Sequence, residues 1–181
     1  MRKEVSVLLM ASIVANFGFG LFSPLYAIFV EHIGGDILSA SGAWAIYTFF
    51  TGAIIIILGR LEDHKLNKRL MVFSGYFILA IGSLGYFFVE TPIHLFVVQM
   101  IAGIGIAVIE PAWDGLFSIY LDRGRESFEW SLWSGGTRIA LAVAALAGGI
   151  IVTLYGFRTM FILMFIVNIL AAFVSLQIIK K

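Results

Sequence analysis

The feature that most constrains this chain is a series of six long stretches without a single Asp, Glu, Lys or Arg. Each stretch holds 19 to 26 residues, and a helix needs about 20 apolar residues to cross the hydrocarbon core of a membrane. The stretches are 5–30, 37–59, 70–89, 91–109, 139–157 and 159–179. Six helices built on these stretches account for nearly the whole chain of 181 residues, so the sequence predicts a membrane protein of six spanning helices with no appended soluble domain.

The composition supports helices and disfavours other classes. Hydrophobic residues make up 61% of the chain and charged residues 13%, and runs such as "GAIIIILG" (52–59) are apolar on every side, unlike the alternating strands of a barrel. There is no cysteine, and His32, His64 and His94 have no second ligand at metal-binding spacing. We therefore expect an all-α protein without metal or cofactor. No nucleophile and base stand at a workable spacing, so we expect no enzymatic activity.

The basic residues predict the orientation of the helices. Ten of the twelve Lys and Arg residues, all except Arg138 within the fifth predicted helix and Arg158, fall before the first stretch, in the loops after the second and fourth helices, or after the sixth stretch. The positive-inside rule then places both termini in the cytoplasm, in a cell (inner) membrane, with one insertion direction only. The lipid bilayer is the expected surrounding, and no nucleic-acid partner is expected.

Short loops and recurring small residues predict how the helices pack. The loops hold about two to ten residues, which favours antiparallel contact between consecutive helices. Glycine in a membrane helix allows two backbones to approach closely. The positions expected at such contacts are Gly18, Gly20, Gly82, Gly85, Gly103, Gly105, Ala140, Ala144 and Gly148. A G-x-G followed by a proline occurs in both 18–24 and 103–111, which suggests two inverted three-helix repeats, 1–89 and 90–181, within one domain.

The loop after the second stretch carries a recognisable pattern, "GRLEDHKLNKR" (59–69). It resembles the signature loop between helices two and three of the major facilitator superfamily. The matching residues are Gly59, Leu61, Asp63, His64, Lys68 and Arg69, whereas Leu66 stands where the family usually has glycine. Further matches in helices four and five and in "YGFRTMF" (155–161) extend the resemblance over the whole chain, which looks like the amino-terminal half of such a transporter.

Two subfamily features of that resemblance are missing. Gln99 stands where many relatives have an arginine linked to proton coupling, and Ala144 with Ala145 replaces the Gly-Pro pair of the antiporter motif. The resemblance therefore does not by itself imply proton-driven drug antiport.

The resemblance implies a secondary transporter of small molecules that works by alternating access. Family members have two six-helix halves with the substrate between them, and this chain corresponds to one. We expect a natural half-size protein rather than a truncated one, completed by a second copy in a parallel homodimer or by a homologous half. Two alternatives remain: a non-transporting membrane subunit or assembly partner, and the isolated amino-terminal domain of a longer carrier.

Two carboxylates, Glu110 and Asp114, lie one turn apart in the cytoplasmic half of the fourth predicted helix. A charge near mid-bilayer costs about 2.5–3.5 kcal/mol, and Arg138 of helix five is expected at the same depth, where it can pair with one acid. Arg138 then either only joins the two helices or leaves one acid unbalanced. In the second case the remaining acid exchanges a proton for a cationic or amphipathic substrate. Glu110 and Asp114, with Arg138 beside them, are then the predicted substrate or proton site.

Three further side chains are candidates near this site. Trp113 either offers a cation-π face beside the acids or serves in packing. Asn16, near the middle of the first helix, either faces the cavity or forms a hydrogen bond between helices. Asn168 is central in helix six, where a structural role is favoured.

The loop motif predicts a gate formed by Gly59, Asp63, Lys68 and Arg69. In the resembled family this aspartate locks the inner gate against a helix of the other half. In a homodimer, Asp63 would cap the start of the partner's fifth helix near Glu129 and Trp130. The alternative is an exposed acid neutralised by neighbouring basic residues.

Overall fold

The computed structural model describes residues 1–62 and 66–178, the side chains of 60–62 excepted. All regular structure in these residues is helical. The six α-helices are α1 (Lys3–Phe22), α2 (Tyr26–His32), α3 (Ile37–Glu62), α4 (Lys68–Tyr86), α5 (Pro92–Tyr120) and α6 (Glu126–Ser175), with short 3-10 turns at Ser23–Leu25 and Leu176–Ile178. The fold is therefore an all-helical bundle, as the sequence predicts.

By length and hydropathy, five helical segments within the described ranges are able to cross a membrane. They are Lys3–His32, Ile37–Gly59, Lys68–Tyr86, Pro92–Tyr120 and Glu126–Ile178. The last segment has 53 residues, far more than the roughly 20 that one crossing requires. It contains both of the last two stretches that the sequence predicts as separate spans.

Helix α6 turns back on itself at Gly156. This residue has φ 79° and ψ 170°, in the left-handed region that glycine adopts at little cost. We call the residues before Gly156 the first leg of α6 and those after it the second leg. The turn separates them without a loop.

The contacts of α6 with α1 show this reversal of direction. On the first leg, Gly136 approaches Ile13 and Gly148 approaches Leu21, so the two helices run in the same sense. On the second leg, the order is opposite: Phe161 contacts Phe22 with 5.3 Å between ring centroids, Asn168 approaches Gly18, and the final turn returns to α1. Helix α1 thus packs between two antiparallel legs.

The two ends of the bundle differ in which loops they carry. We call the end that holds Met1, the start of α4 and residues 121–125 the near end. The far end holds residues 33–36, 87–91 and Gly156. Near the far end, α1 ends and α2 begins, with a 3-10 turn containing Pro24 between them. The helix is interrupted there because proline has no N–H to continue the helical hydrogen bonds. The Tyr26 hydroxyl of α2 donates to the Ala40 carbonyl of α3 at 3.3 Å.

The order of helix neighbours differs in part from the expectation that consecutive helices pack together. Helices α4 and α5 do pack, but α3 packs mainly on α5 instead of on α1 or α4. The reason is a close approach at Gly103, where a Cβ would lie 2.7 Å from the Tyr47 carbonyl oxygen. Thr51 also donates to the Gly103 carbonyl at 3.2 Å. Helix α3 and the first leg of α6 therefore form the two edges of the bundle.

Small residues permit the tightest helix contacts, as the sequence predicts. Gly20 meets Ala144 between α1 and the first leg of α6, and Gly105 meets Leu79 between α5 and α4. The apolar core consists of two clusters, one toward each end of the bundle. The near-end cluster includes Leu8, Val72, Trp113, Phe117 and Ala171, and the far-end cluster includes Phe22, Phe29, Tyr86, Met160 and Phe161.

Adjacent glycines in α6 provide a matched test of this packing. A Cβ at Gly148 would collide with the Leu21 carbonyl, whereas a Cβ at Gly149 would meet nothing within 4 Å. We expect Gly148→Ala to lower the free energy of unfolding by about 1–3 kcal/mol, the usual cost of overpacking. Gly149→Ala should be neutral or stabilising by up to about 1 kcal/mol, because alanine favours a helix. Thermal unfolding of both variants in the same detergent measures the difference, and equal midpoints would contradict the described contact.

Candidate functional site

Helix α5 carries Glu110 and Asp114 on an exposed face near its middle. The helix runs from Pro92 to Tyr120, so Glu110 lies four residues, or about 6 Å, to the near-end side of the midpoint. Both carboxylates are exposed on the described chain, while Ile109, Ala112 and Trp113 beside them are buried. The α-helical period explains this arrangement, because positions four residues apart share one face.

The surroundings of the carboxylates come from α5 and α3. Glu110 lies within electrostatic range of Asp114 and of Tyr47 on α3. Pro111, inside the helix, leaves the Ala107 carbonyl without its helical donor. The exposed face of α5 thus presents two carboxylates at membrane depth, and carboxylates attract hydrogen-bond donors and cations.

Arg138 does not pair with these acids in the described part of the chain. Its side chain is exposed on the first leg of α6, and no ion pair within 4.0 Å joins it to Glu110 or Asp114 among the side chains described. Helix α5 meets the first leg through the rings of Trp113 and Trp133, with 5.2 Å between their centroids, whereas Arg138 and the two acids lie on exposed faces. The expected Arg138 pair is therefore not formed within the described residues, because equal depth along two helices does not decide which way their side chains point.

Trp113 points away from the carboxylates and into the bundle. It is 4% exposed, and its ring stacks on Phe117 with 4.6 Å between centroids. Its indole Nε1 donates to the Leu8 carbonyl at 3.4 Å. With Trp130 and Trp133 it forms an aromatic cluster that joins α5 to the first leg of α6. Of the two roles considered for Trp113, the structure shows packing.

Asn16 belongs to a polar group centred on Ser12, which sequence reasoning missed. The Asn16 amide donates to the Ser12 carbonyl at 2.9 Å, and the Trp133 indole donates to the Ser12 hydroxyl at 2.9 Å. The Tyr76 hydroxyl of α4 lies close to the same serine. The only sign of this group in the sequence is a serine, Ser12, within a mainly apolar helix. The group links α1, α4 and α6 through polar atoms that lipid could not satisfy.

Asn168 has the structural role that the sequence favours. Its amide donates to the Ser83 hydroxyl at 2.9 Å and to the Met164 carbonyl at 3.1 Å. It is 5% exposed, so it joins the second leg of α6 to α4 inside the bundle.

The predicted gate motif lies only partly in the described residues. Asp63 lies outside them. Gly59 is near the end of α3, and Asn67 caps α4, its side chain accepting from the N–H groups of Arg69 and Leu70. Arg69 donates to the Tyr120 hydroxyl at 2.7 Å, which ties the start of α4 to the end of α5. Lys68 occupies the first position of α4.

The near end holds a charged group that the sequence did not single out. The Met1 amino group and the Arg2 guanidinium lie 3.0 and 3.3 Å from Asp122, and they hold the pKa of that carboxyl below its usual range.

Glu129 is 1% exposed and accepts from the Asp122 N–H at 3.2 Å. The Glu129 N–H itself donates to the Arg125 carbonyl at 3.0 Å. Free N–H groups at this helix start are therefore limited to 126–128, just before the position expected for the latch.

No group of three or more metal-ligating side chains occurs within residues 1–62 and 66–178. Within the membrane-crossing segments described, the exposed charged side chains include Glu110 and Asp114 on α5 and Arg138 on the first leg of α6.

Comparison with known proteins identifies the family. The family model described as Major Facilitator Superfamily matches residues 8–179. The chain is 22% identical over 175 residues to an uncharacterized MFS-type transporter of Methanocaldococcus jannaschii, covering 97% of this chain and 45% of that protein. It is 28% identical over 173 residues to the quinolone resistance protein NorB of Staphylococcus aureus, covering 92% of this chain and 36% of that one.

Solved structures share the fold. The crystal structure of the peptide transporter POT in complex with sulfate matches with a TM-score of 0.85 at 20% identity, covering 100% of this chain and 38% of that one. The in meso crystal structure of the POT family transporter PepTSo matches with a TM-score of 0.77 at 13% identity, covering 98% and 37%. At such identities the likeness concerns the fold alone.

The chain thus spans less than half the length of these relatives, and the resemblance to a transporter half that the loop motif indicates is confirmed. Its relatives are transporters rather than enzymes. Because the family match covers nearly every residue, the chain is a non-enzymatic, multi-pass membrane protein that belongs to the Major Facilitator Superfamily.

Proposed function

We propose that this chain is a half-size secondary transporter that pairs with a second half, a further copy of itself in the simplest case, to form a twelve-helix alternating-access carrier. The observation that carries the proposal is the exposed acidic face of α5. Two carboxylates near the middle of a membrane helix cannot face lipid cheaply. A water-filled cavity between two halves gives them a polar surrounding.

The proposed crossing count is six. Helices α1 and α2 together make one crossing, α3, α4 and α5 make one each, and the two legs of α6 make two because the chain reverses at Gly156. Residues 1–89 and 90–181 then form two three-crossing repeats of opposite orientation, with a G-x-G and a proline in the first helix of each.

The proposed orientation places the near end in the cytoplasm, with both termini there, in the cell's inner membrane. The support is the charge distribution: among the described residues, those at the near end include Arg2, Lys3, Lys68, Arg69, Arg123 and Arg125. Basic residues of this kind keep a segment on the cytoplasmic side. All copies then insert in the same direction, so a closed pair has its two-fold axis along the membrane normal.

The proposed pairing surface consists of the two edge elements, α3 and the first leg of α6. Both flank the acidic face, and both expose apolar residues along their length. Those on α3 are Ile37, Leu38, Trp44, Phe49, Ile56 and Ile57, and those on the first leg are Phe128, Leu132, Ile139, Val143, Leu146, Ile150 and Leu154. In a parallel two-fold pair, α3 of one protomer packs on the first leg of its partner. This closes the cavity on both sides.

The proposed mechanism is competition between a proton and a cationic or amphipathic substrate at Glu110 and Asp114. Repulsion between the two carboxylates and their apolar surroundings favour protonation of one acid when the site is empty. A bound cation favours release of that proton. Arg138 and Asn16 then line the cavity rather than pairing with the acids. The naming of one relative as a quinolone resistance protein supports a small-molecule substrate, although 28% identity leaves the substrate of this chain open to assay.

The Asp63 latch completes the proposed cycle. Asp63 caps the partner's α6 at the free N–H groups of 126–128 when the cytoplasmic side is closed. Gly59, Lys68 and Arg69 hold the loop and the start of α4 in place around it.

The second candidate is the amino-terminal domain of a longer carrier. It is favoured by the coverage of 45% and 36% of the two relatives' lengths. In that case the acidic face closes on another domain, and the purified chain stays monomeric. A third candidate, a non-transporting membrane subunit, predicts no uptake whatever the oligomeric mass.

Glu110→Gln and Asp114→Asn test the transport site. In reconstituted vesicles loaded at a defined pH, we expect at least one variant to reduce uptake of a cationic dye by about tenfold or more and to flatten its dependence on pH, because an amide cannot bind and release the proton. Glu31→Gln, which alters an exposed acid near the end of α2, is the matched control and should transport normally. Unchanged rate and pH dependence in both acid variants would refute the proposed site.

Single cysteines test whether the acidic face is wet. The chain has no cysteine of its own, so Glu110→Cys and Asp114→Cys can be compared with Ile166→Cys on the exposed face of the second leg. In vesicles we expect a water-soluble maleimide to react at the acid positions about tenfold faster than at Ile166→Cys, because only a hydrated thiol ionises and reacts. Equal, slow labelling at all three positions would mean that the face is covered by lipid or protein.

A further inference from the structure

A second polar site lies at the far end of the bundle, away from the acidic face. It is a pocket of about 240 Å³ between α2, the end of α4 and the start of the second leg of α6. Its floor is aromatic: Phe29, Tyr86 and Phe161 are 2%, 7% and 1% exposed. Its mouth carries Glu90 and Arg158.

The two charged groups at the mouth can form further hydrogen bonds to a ligand. Arg158 Nη2 and Glu90 Oε1 are 3.8 Å apart, and their side chains are 70% and 71% exposed. At that distance they share no short hydrogen bond, and an exposed pair of this kind contributes little to stability. A guanidinium has five N–H donors, and a carboxylate accepts about four hydrogen bonds. Both groups therefore remain open to a molecule that bears both charges.

Aromatic contacts hold this pair in position. The Arg158 guanidinium lies 5.4 Å from the centre of the Phe87 ring, a cation-π geometry that orients its donors. The His32 ring lies against Phe157 at 5.5 Å on the opposite wall. A phosphate can then approach Arg158 as a bidentate partner while an ammonium approaches Glu90.

The pocket lies where a lipid headgroup would be. Glu90 follows the end of α4, and Arg158 follows the turn at Gly156, so both stand at one end of the membrane-crossing segments. Below the pocket, α4 and the second leg of α6 expose a continuous apolar surface suited to acyl chains. It is formed by Phe77 and Ile81 on α4, by Phe88 just after it, and by Ile162, Ile166, Leu170 and Phe173 on the second leg.

From this geometry we propose that the far-end pocket binds the zwitterionic headgroup of a phospholipid with a primary ammonium, of the phosphatidylethanolamine type. Arg158 binds the phosphate and Glu90 the ammonium, and the acyl chains lie along α4 and the second leg. A lipid whose headgroup lacks an ammonium places its phosphate beside the Glu90 carboxylate without compensation. A quaternary ammonium offers that carboxylate no N–H donor. The site is independent of whether the chain transports a substrate.

Lipid binding to the purified full chain in detergent tests this assignment, with phosphatidylethanolamine, phosphatidylglycerol and phosphatidylcholine of identical acyl chains as probes. Native mass spectrometry or a lipid titration of thermal stability gives the apparent affinities. We expect phosphatidylethanolamine to bind about tenfold more tightly than either other lipid, a preference of about 1.4 kcal/mol. Arg158→Gln should weaken binding of phosphatidylethanolamine and phosphatidylglycerol alike, whereas Glu90→Gln should remove or reverse the preference between them.

Arg125→Gln is the matched control, because Arg125 also lies over a phenylalanine ring, that of Phe128 at 5.5 Å, but at the near end. Its lipid affinities should equal those of the unaltered chain. The proposal is overturned if Glu90→Gln retains the full preference for phosphatidylethanolamine, or if Arg125→Gln and Arg158→Gln lose affinity equally. Soluble glycerophosphoethanolamine, without acyl chains, should bind at least about a hundredfold more weakly, since it buries no acyl CH₂ groups. Equal affinity would identify a soluble zwitterion as the ligand instead of a lipid.

Discussion

The close packing of α1 between the two legs of α6 determines the rest of the structure. Gly148 lets the Leu21 backbone approach, Gly20 accepts Ala144, and Gly18 leaves room for Asn168. No hydrophobic effect drives helices together within lipid, so contact of this closeness supplies much of the attraction between them. With α1 held on both sides, α4 packs on the second leg, α5 on α4, and α3 on α5. The two least supported helical segments are then left at the edges, on either side of the acidic face.

The polar groups of the bundle fall into two sets that differ in how they are satisfied. Ser12 and Asn168 lie inside, and each has short hydrogen bonds to a neighbouring helix. Glu110 and Asp114 lie on the surface of the described chain. Interior groups of the first set join helices, because lipid offers them no partner. The acids of the second set face outward from the bundle, and this exposure is the observation that supports the proposed transport site.

Much of the fold could be predicted from the sequence because uncharged length and glycine spacing are direct consequences of the membrane. The last two predicted spans correspond to the two legs of α6. Several glycines at helix contacts were identified, although Gly75 and Gly136 were not. The packing partner of α3 was not predicted. A short loop keeps the ends of two consecutive helices close, but it does not decide which of several apolar helices each one packs on. The deciding contact, the approach of Tyr47 to Gly103, involves residues more than fifty positions apart.

The site was predicted less well because hydropathy carries no information on rotation about a helix axis when apolar residues surround it. Trp113 therefore turned out to face the core, and Arg138 shares no ion pair with the acids in the part of the chain described. The expected pair was based only on the equal depth of Arg138 and the acids in the membrane. Depth does not tell which way each side chain points from its helix. Glu110 and Asp114 share one face because they are four residues apart, and the buried side chains of Ile109 and Trp113 lie beside that face.

The central claim is that the face between the edges α3 and the first leg of α6 closes on a second copy of the chain. Cross-linking in native membranes tests it most directly, with one cysteine on α3 at Phe49 and one on the first leg of α6 at Leu146, each carried by a separate copy. The account predicts a covalent dimer from this combination and none when the α3 cysteine is replaced by one at Phe77 on α4. Absence of the α3 to α6 dimer, or equal yield from the α4 position, would contradict it.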